Sequence, residues 1–492
     1  MPSNVAVRVA PGSSQLQHGL AASEVELDLP RGFADDVHAE ARRAAGDVRL
    51  PDLDRTDLPL ITIDPEGAMD LDQAVHIARD GRGFVVHYAI ADVAAFVAPG
   101  GPIDLEAHRR GETLYGAGSK VPLHPPELSE DAASLLPEQV RPALLWTLRL
   151  DAAGALTDAR VERARVRSTA RWSYTGAQAA LGDGSAPEVI TLLREVGLLR
   201  EQQERERGGV SLPLPEQEIE EGPEGLRLVF REQLPVEGWN AQVSLLTGMA
   251  AAAMMVRGRI GLLRTLPLPD PRDVERLRRV ARGLRIDWPT GLDYPEFVRR
   301  LDPTRPEHQA MTVACTRLLR GSAYVAFDGE LPEHTRHEAI AAEYAHVTAP
   351  LRRLGDRYTG EVCVSLCAGE PVPDWVRSAL PGLPDELRDS ARRASAYERA
   401  VLDLLEAASL AGRVGQEFDG VITSVRESGR EGGAGASGSA SSGVVVVADL
   451  GVEAPVRSAD DAPLPLGEEA RVRLAGADVA SRSVVFEWTR PR

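Results

Sequence analysis

The stretch Leu60-Ile-Thr-Ile63-Asp64-Pro-Glu-Gly-Ala-Met-Asp70-Leu-Asp72-Gln73 decides how the chain is read. Leu60 to Ile63 is a short apolar run with β-branched residues, a buried-strand signal. The strand ends in Asp64, and Pro65 with Gly67 marks a turn. Two further aspartates, Asp70 and Asp72, then alternate around Leu71. A turn of this size folds back and brings the three carboxylates together. Held in one place they repel each other, and a cation relieves that cost. Hard oxygen ligands suit Mg²⁺, with Mn²⁺ as the alternative. Such a site activates water and assists in-line displacement at phosphorus. The spacing alone leaves a second reading open: a solvated acidic turn in which Asp70 caps a helix.

Working outward, 84–91 and 144–150 read as further strands, while helical periodicity covers 175–207 and 242–263. A proline-rich loop falls at 370–384. The fold class is therefore α+β, with one large mixed domain over 55–411 built around a buried carboxylate site. Beyond Ala411 the texture changes. Strand-like runs at 418–425, 444–447 and 484–488 suggest a small β-barrel over 412–492. The Gly/Ser run 427–443 is expected to be a disordered loop. Residues 1–54 form a short, partly helical element with an amphipathic helix at 33–46, helix-turn-helix-like in pattern.

The chain has 492 residues, 43% hydrophobic and 26% charged, which excludes wholesale disorder, collagen and coiled coil. Three cysteines, Cys315, Cys363 and Cys367, make no disulfide framework and point to a reducing, cytoplasmic setting. No signal peptide is expected at the N-terminus, and the apolar run 245–256 is too short to span a bilayer. The net charge of −18 argues against a protein that merely coats nucleic acid. It does not argue against a nuclease, whose site needs carboxylates. Lys120 is the only lysine; codon usage is the bland explanation, although arginine also suits planar phosphate contacts.

Four blocks occur in order: Thr62 to Asp72, Ala89-Ile-Ala-Asp92-Val, Val121-Pro-Leu-His-Pro-Pro-Glu-Leu-Ser-Glu130, and Tyr344-Ala-His-Val-Thr-Ala-Pro-Leu-Arg352-Arg353-Leu-Gly-Asp356. Together they resemble the catalytic domain of the ribonuclease II/R family, and the tail after Arg413 is similar to that family's S1 domain. The resemblance implies a hydrolytic, Mg²⁺-dependent exoribonuclease. Such an enzyme degrades single-stranded RNA from the 3′ end to 5′-nucleoside monophosphates, and a monomer is the default expectation. It implies metal roles for Asp64, Asp70, Asp72 and Gln73, and catalytic roles for Asp70, Asp72 and Arg352. The Arg352 guanidinium would steady the scissile phosphate. It further implies that Tyr115 stacks on the terminal base, that Tyr174 lies near the ribose, and that Arg353 contacts a neighbouring phosphate. His346 matches a signature histidine expected to order its loop.

The chain departs from the family pattern in several places. Gln73 stands where the family has a fourth acidic residue, so weaker metal affinity is expected. Leu212 replaces the phenylalanine that closes the base stack, and Asn240 stands where a glutamate contacts the last nucleotide. About 50 residues precede the catalytic blocks, too few for the family's two cold-shock barrels. This suggests relaxed exclusion of structured RNA. A catalytically weak RNA-binding relative is the alternative reading. Cys363 and Cys367 are expected in the core, and the basic stretch 276–282 either faces solvent or rims an RNA channel.

Overall fold

The computed structural model describes residues 14–116, 120–212, 216–222, 225–231, 233–302, 305–426, 441–447, 450, 452–460 and 462–490. The segment that opened the sequence reading forms the first strand, Leu60–Asp64, of a closed five-stranded barrel. It continues through Gln73–Asp80, Gly83–Ala91, Val140–Leu150 and Leu156–Ser173. Neighbours pair antiparallel, and the first strand closes parallel against the last. Gly81, at φ +60°, opens the two-residue turn of the second hairpin, a conformation that suits glycine.

Both sides of these strands are covered. Ile61, Ile63, Val75, Tyr88 and Trp146 join the main core, while Leu60, Ala74, Ala89 and Leu145 join a second cluster. Burial on both faces is why Leu60 to Ile63 is continuously apolar rather than alternating. The strands Gln73–Asp80 and Leu156–Ser173 escape the sequence reading because arginines and other polar residues interrupt their apolar pattern.

Twelve α-helices surround the sheets among the described residues. Helix α1 (Ser14–Glu26) sets Leu20 among residues of the long α12 (Leu383–Leu410), whereas α2 (Asp35–Asp47) buries Val37 and Ala41 in the second cluster. These two N-terminal helices thus serve different cores. Next come α3 (Pro102–Arg110), α4 (Tyr174–Asp183) and α5 (Glu188–Arg207). The helix expected over 175–207 is two, broken at Gly184 and Pro187. Helix α6 (Pro235–Gly258) ends earlier than its apolar run suggests. Arg259 turns left-handed and Ile260–Thr265 becomes a strand. Then follow α7 (Pro271–Gly283), α8 (Tyr294–Arg299), α9 (Pro306–Cys315), α10 (Leu354–Ala368) and α11 (Asp374–Ala379). Cys363 is buried in the main core and all three cysteines are free. No helix among the described residues is long and apolar enough to cross a membrane.

The C-terminal strands Glu417–Arg426, Ser442–Val447, Val452–Ser458, Glu469–Asp478 and Ser483–Trp488 close a second barrel. Their order is first, second, third, fifth, fourth, with third and fifth parallel, a Greek-key OB arrangement. Phe486 and Trp488 fill its core rather than offering faces to bases. Of the expected loop 427–443, Ser442 and Gly443 belong to a strand; 427–440 lies outside the described residues.

Candidate active site

The carboxylate stretch sits at one end of the first barrel. Asp64 is the last residue of its strand, opposite Ser173 of the closing strand. The turn that follows is held by Ser134. Its hydroxyl accepts from the Leu71 amide (2.9 Å) and donates to the Met69 carbonyl (2.6 Å). Leu135 N–H donates to the Leu71 carbonyl (3.0 Å), and Ala91 N–H to that of Asp72 (2.9 Å). These bonds fix the backbone from 69 to 72, so the directions of Asp70 and Asp72 follow from the neighbouring chain rather than from the turn alone.

Asp72 is 4% exposed. Its Oδ1 accepts from the Leu351 amide (2.8 Å), and its Oδ2 lies 3.4 Å from Arg352 Nε. Two segments about 280 positions apart thus meet at one carboxylate. Burial pushes Asp72 up to about 8, with the positive Arg352 opposing. Burial pushes Asp64 up to about 7, again against Arg352. Asp70 raises both, as a nearby like charge does. Asp64 Oδ2 is buried with no hydrogen-bond donor among the described residues.

Arg352 is positioned by its own backbone. Its amide donates to the Ala349 carbonyl (3.2 Å), and its carbonyl accepts from Thr113 (2.9 Å). Beside it, Arg353 grips Asp356 through Nε to Oδ1 (3.1 Å) and Nη2 to Oδ2 (2.7 Å). Asp356 in turn accepts from the Ala349 amide (2.8 Å). Asp70 faces a two-stranded ribbon, Leu114–Tyr115 paired with Lys120–Val121. The Tyr115 hydroxyl donates to its Oδ2 (3.4 Å), and Lys120 Nζ lies 3.1 Å from its Oδ1. On the Asp64 side, Asn240 Nδ2 donates to the Tyr174 hydroxyl (3.2 Å), and the Asp64 charge reaches that tyrosine.

A family model for the RNB domain matches residues 53–363, and another, for the RNase II-type exonuclease C-terminal S1 domain, matches 416–489. The chain belongs to the RNB family. This RNB chain is 28% identical over 422 residues to Ribonuclease R of Escherichia coli K12, covering 80% of itself and 50% of that protein. It is 28% identical over 423 residues to Ribonuclease R of Aquifex aeolicus, covering 81% and 59%. It spans about half the length of these curated relatives. Mycoplasma genitalium RNase R, solved with ribose-methylated single-stranded RNA, superposes with a TM-score of 0.84 at 19% identity, covering 96% of this chain and 78% of that one. Yeast Ssd1, described as a pseudonuclease, shares the fold with a TM-score of 0.66 at 14% identity, over 96% and 54%.

The RNB site brings together Asp64, Asp70, Asp72, Arg352, Tyr115, Tyr174 and Asn240. It does not close three acidic, histidine or cysteine side chains around one point as a finished metal cage, among the described residues. Asp70 is turned toward Lys120 and Tyr115 instead. Gln73 is adjacent, but its amide is committed at both ends. Nε2 donates to the Thr348 carbonyl (2.6 Å), and Oε1 accepts from Tyr88 (2.7 Å), which also lies 2.9 Å from Ser244. Arg353 pairs with Asp356 through Nε and Nη2, and Leu212 packs, half-buried, against the cluster that holds Val210 and Leu277. His346 is buried with Nδ1 2.6 Å from the Tyr324 hydroxyl. Sequence reasoning missed Lys120 and Ser134 as site residues. Its status as the sole lysine, five residues after Tyr115, was the available signal for Lys120; Ser134 gives none.

Proposed function

We propose that this chain is a divalent-metal-dependent 3′-to-5′ exoribonuclease that hydrolyses single-stranded RNA to 5′-nucleoside monophosphates. The observation that supports the reading most is the buried meeting of Asp72 with the Leu351 amide and Arg352, which sets a carboxylate beside a guanidinium, the pair that phosphodiester hydrolysis calls for. The donor set fits a hard cation. Asp64, Asp70 and Asp72 offer carboxylate oxygens, and Asp64 Oδ2 is buried without a donor among the described residues. A bound Mg²⁺ or Mn²⁺ would supply Lewis acidity and a water activated for attack.

The protein's own groups do the positioning. The Leu351 amide holds Asp72 in a single orientation. Arg352 binds a nonbridging phosphate oxygen and opposes the charge that develops there. Tyr115, whose hydroxyl reaches Asp70, would stack its ring on the terminal base, a contact worth about 1–3 kcal/mol for any base. Tyr174 and Asn240 form a polar pair beside Asp64, where a ribose 2′-hydroxyl would find both donor and acceptor. Gln73, Arg353 and Leu212 serve as framework: their polar or apolar contacts lie within the protein.

The test is a 5′-labelled single-stranded oligoadenylate incubated with the full chain across Mg²⁺ and Mn²⁺ concentrations. A ladder shortening from the 3′ end, with 5′-AMP released, is the expected result. A mobility shift without shortening at any concentration of either ion overturns the reading in favour of an RNA-binding relative.

A further inference from the structure

Lys120 occupies an unusual place for the chain's only lysine. Its Nζ lies 3.1 Å from Asp70 Oδ1 and 2.9 Å from Glu130 Oε1, bridging a site carboxylate to one outside the strand-and-turn stretch. The three aspartates are not equivalent. Asp72 is held by Leu351 and Arg352, and Asp64 Oδ2 has no donor among the described residues. Asp70 has both oxygens engaged, by Tyr115 and Lys120, and these two residues are register partners in one short ribbon. The cation on Asp70 is thus carried by a separate element from the one that positions Arg352.

The type of cation matters as much as its place. An ammonium is a compact charge on a flexible stem with three rotatable donors, whereas a guanidinium locks into a planar fork. Lys120 can therefore slacken its hold on Asp70 without leaving Glu130. Glu130 sits on the helical turn Leu128–Ala132, and its side chain is 32% exposed, so it tolerates a closer ammonium.

We propose that Lys120 is a built-in counter-ion for Asp70, which a divalent cation must displace toward Glu130, and that this exchange sets the metal affinity of the site. Lys120 is then a positioning residue, acting through Asp70. The inference rests on the metal reading given under Proposed function and deepens it.

The experiment measures Mn²⁺ binding to the RNA-free full chain, by the loss of the free-ion electron paramagnetic resonance signal. Lys120→Gln should tighten Mn²⁺ binding about three- to tenfold, the effect of removing one partly exposed competing charge. Glu130→Gln should weaken it, because the ammonium is left with Asp70 alone. The double variant should match Lys120→Gln, since Glu130 matters only through the lysine; such non-additivity is what a shared partner produces. Lys120→Arg, which keeps the charge, should bind Mn²⁺ no more tightly than the parent. A merely structural role would move none of these in opposite directions.

If Lys120→Gln is no tighter, or if the two single effects simply multiply, the inference is overturned. Should Lys120→Gln fail to fold, amine-selective acetylation of the folded parent gives the same answer, because Lys120 is its one lysine, once peptide mass mapping shows Lys120 acetylated and a sample acetylated at the α-amino group alone serves as the control. Acetylated chain must then bind Mn²⁺ more tightly, and unchanged affinity overturns the proposal. Asp64→Asn separates the two readings. If the parent binds no Mn²⁺ that Asp64→Asn abolishes, the metal site itself is wrong. If it does and the Lys120 results fail, only this inference falls.

Discussion

Both barrels close five strands with one parallel pairing, yet they bury different things. The C-terminal barrel fills its interior with Val445, Val456, Leu474, Phe486 and Trp488, and its buried polar residues, among those described, are the uncharged Thr423 and Ser458. The first barrel buries Asp72 at one end and Asp92 nearby, the latter held by Arg163 Nε at 2.8 Å. Arg163 also contacts Glu361 of α10. Buried charges are costly unless paired, and few contribute net stability. A barrel that carries them is organised for something besides folding. The difference sets the buried carboxylates, and with them the proposed chemistry, in the first barrel, while the second is built on an apolar core.

Substitution at the two barrels should separate those roles. Asp72→Asn keeps the shape of the side chain and removes its charge. We expect the rate of RNA hydrolysis to fall at least about 10³-fold, with RNA affinity nearly unchanged. Single-turnover assays beside filter binding check this, and persistent hydrolysis would remove Asp72 from its role. Phe486→Ala should do the reverse. Loss of a fully buried aromatic costs about 3–5 kcal/mol of stability, read by denaturant unfolding. The rate on a short oligonucleotide should hold once the folded fraction is accounted for. A matching collapse in the chemical step would erase the distinction between the barrels.

Arg352→Lys sharpens the comparison within the first barrel. The side chain keeps its charge but loses the planar fork, and we expect about a 10²-fold loss in kcat with a smaller change in KM. Equal activity would mean that only charge is needed beside Asp72.

Much of this was legible in the chain. The apolar run into Asp64, the alternation of Asp70 with Asp72, and the Arg352 block each carry local pattern, and four blocks in fixed order narrowed the family. What stayed hidden depends on contacts between distant segments. The strand Leu156–Ser173 reads as polar because its arginines face partners that periodicity cannot see, among them Asp92, Asp54 and Glu361. Gln73 looks like a weakened ligand in the sequence, but only the fold reveals that Thr348 and Tyr88 occupy both ends of its amide. Leu212 carries an apolar signal with no direction; the direction comes from α7 and its neighbours.

The Gln73 geometry leads to a prediction against simple restoration. Gln73→Glu supplies the acidic residue that the family pattern has at this position. It also sets a carboxylate oxygen against the Thr348 carbonyl, where the amide had donated a 2.6 Å bond. A lost donor and a repelled acceptor together cost about 1–3 kcal/mol. We expect a lower melting temperature in the absence of metal and no gain in Mg²⁺ affinity. A stable variant with tighter Mg²⁺ binding would mean that position 73 belongs to the metal site rather than to its frame.

Ser134 provides the smallest expected effect and the most specific one. It is fully buried, and its hydroxyl ties the Met69 carbonyl to the Leu71 amide on either side of Asp70. Ser134→Ala leaves the buried Leu71 N–H without that partner, a loss of about 1–2 kcal/mol. The same change frees the backbone that aims Asp70 and Asp72. Activity should therefore drop at low Mg²⁺ and recover as Mg²⁺ is raised, because a loosened ligand set weakens binding more than it alters the reaction of the bound form. A buried serine in the C-terminal barrel, Ser458, offers the control. Ser458→Ala should also lower stability, but its Mg²⁺ dependence should follow the parent's. If both variants shift the metal requirement alike, the effect is general destabilisation and the Ser134 hydroxyl has no particular hold on the carboxylates.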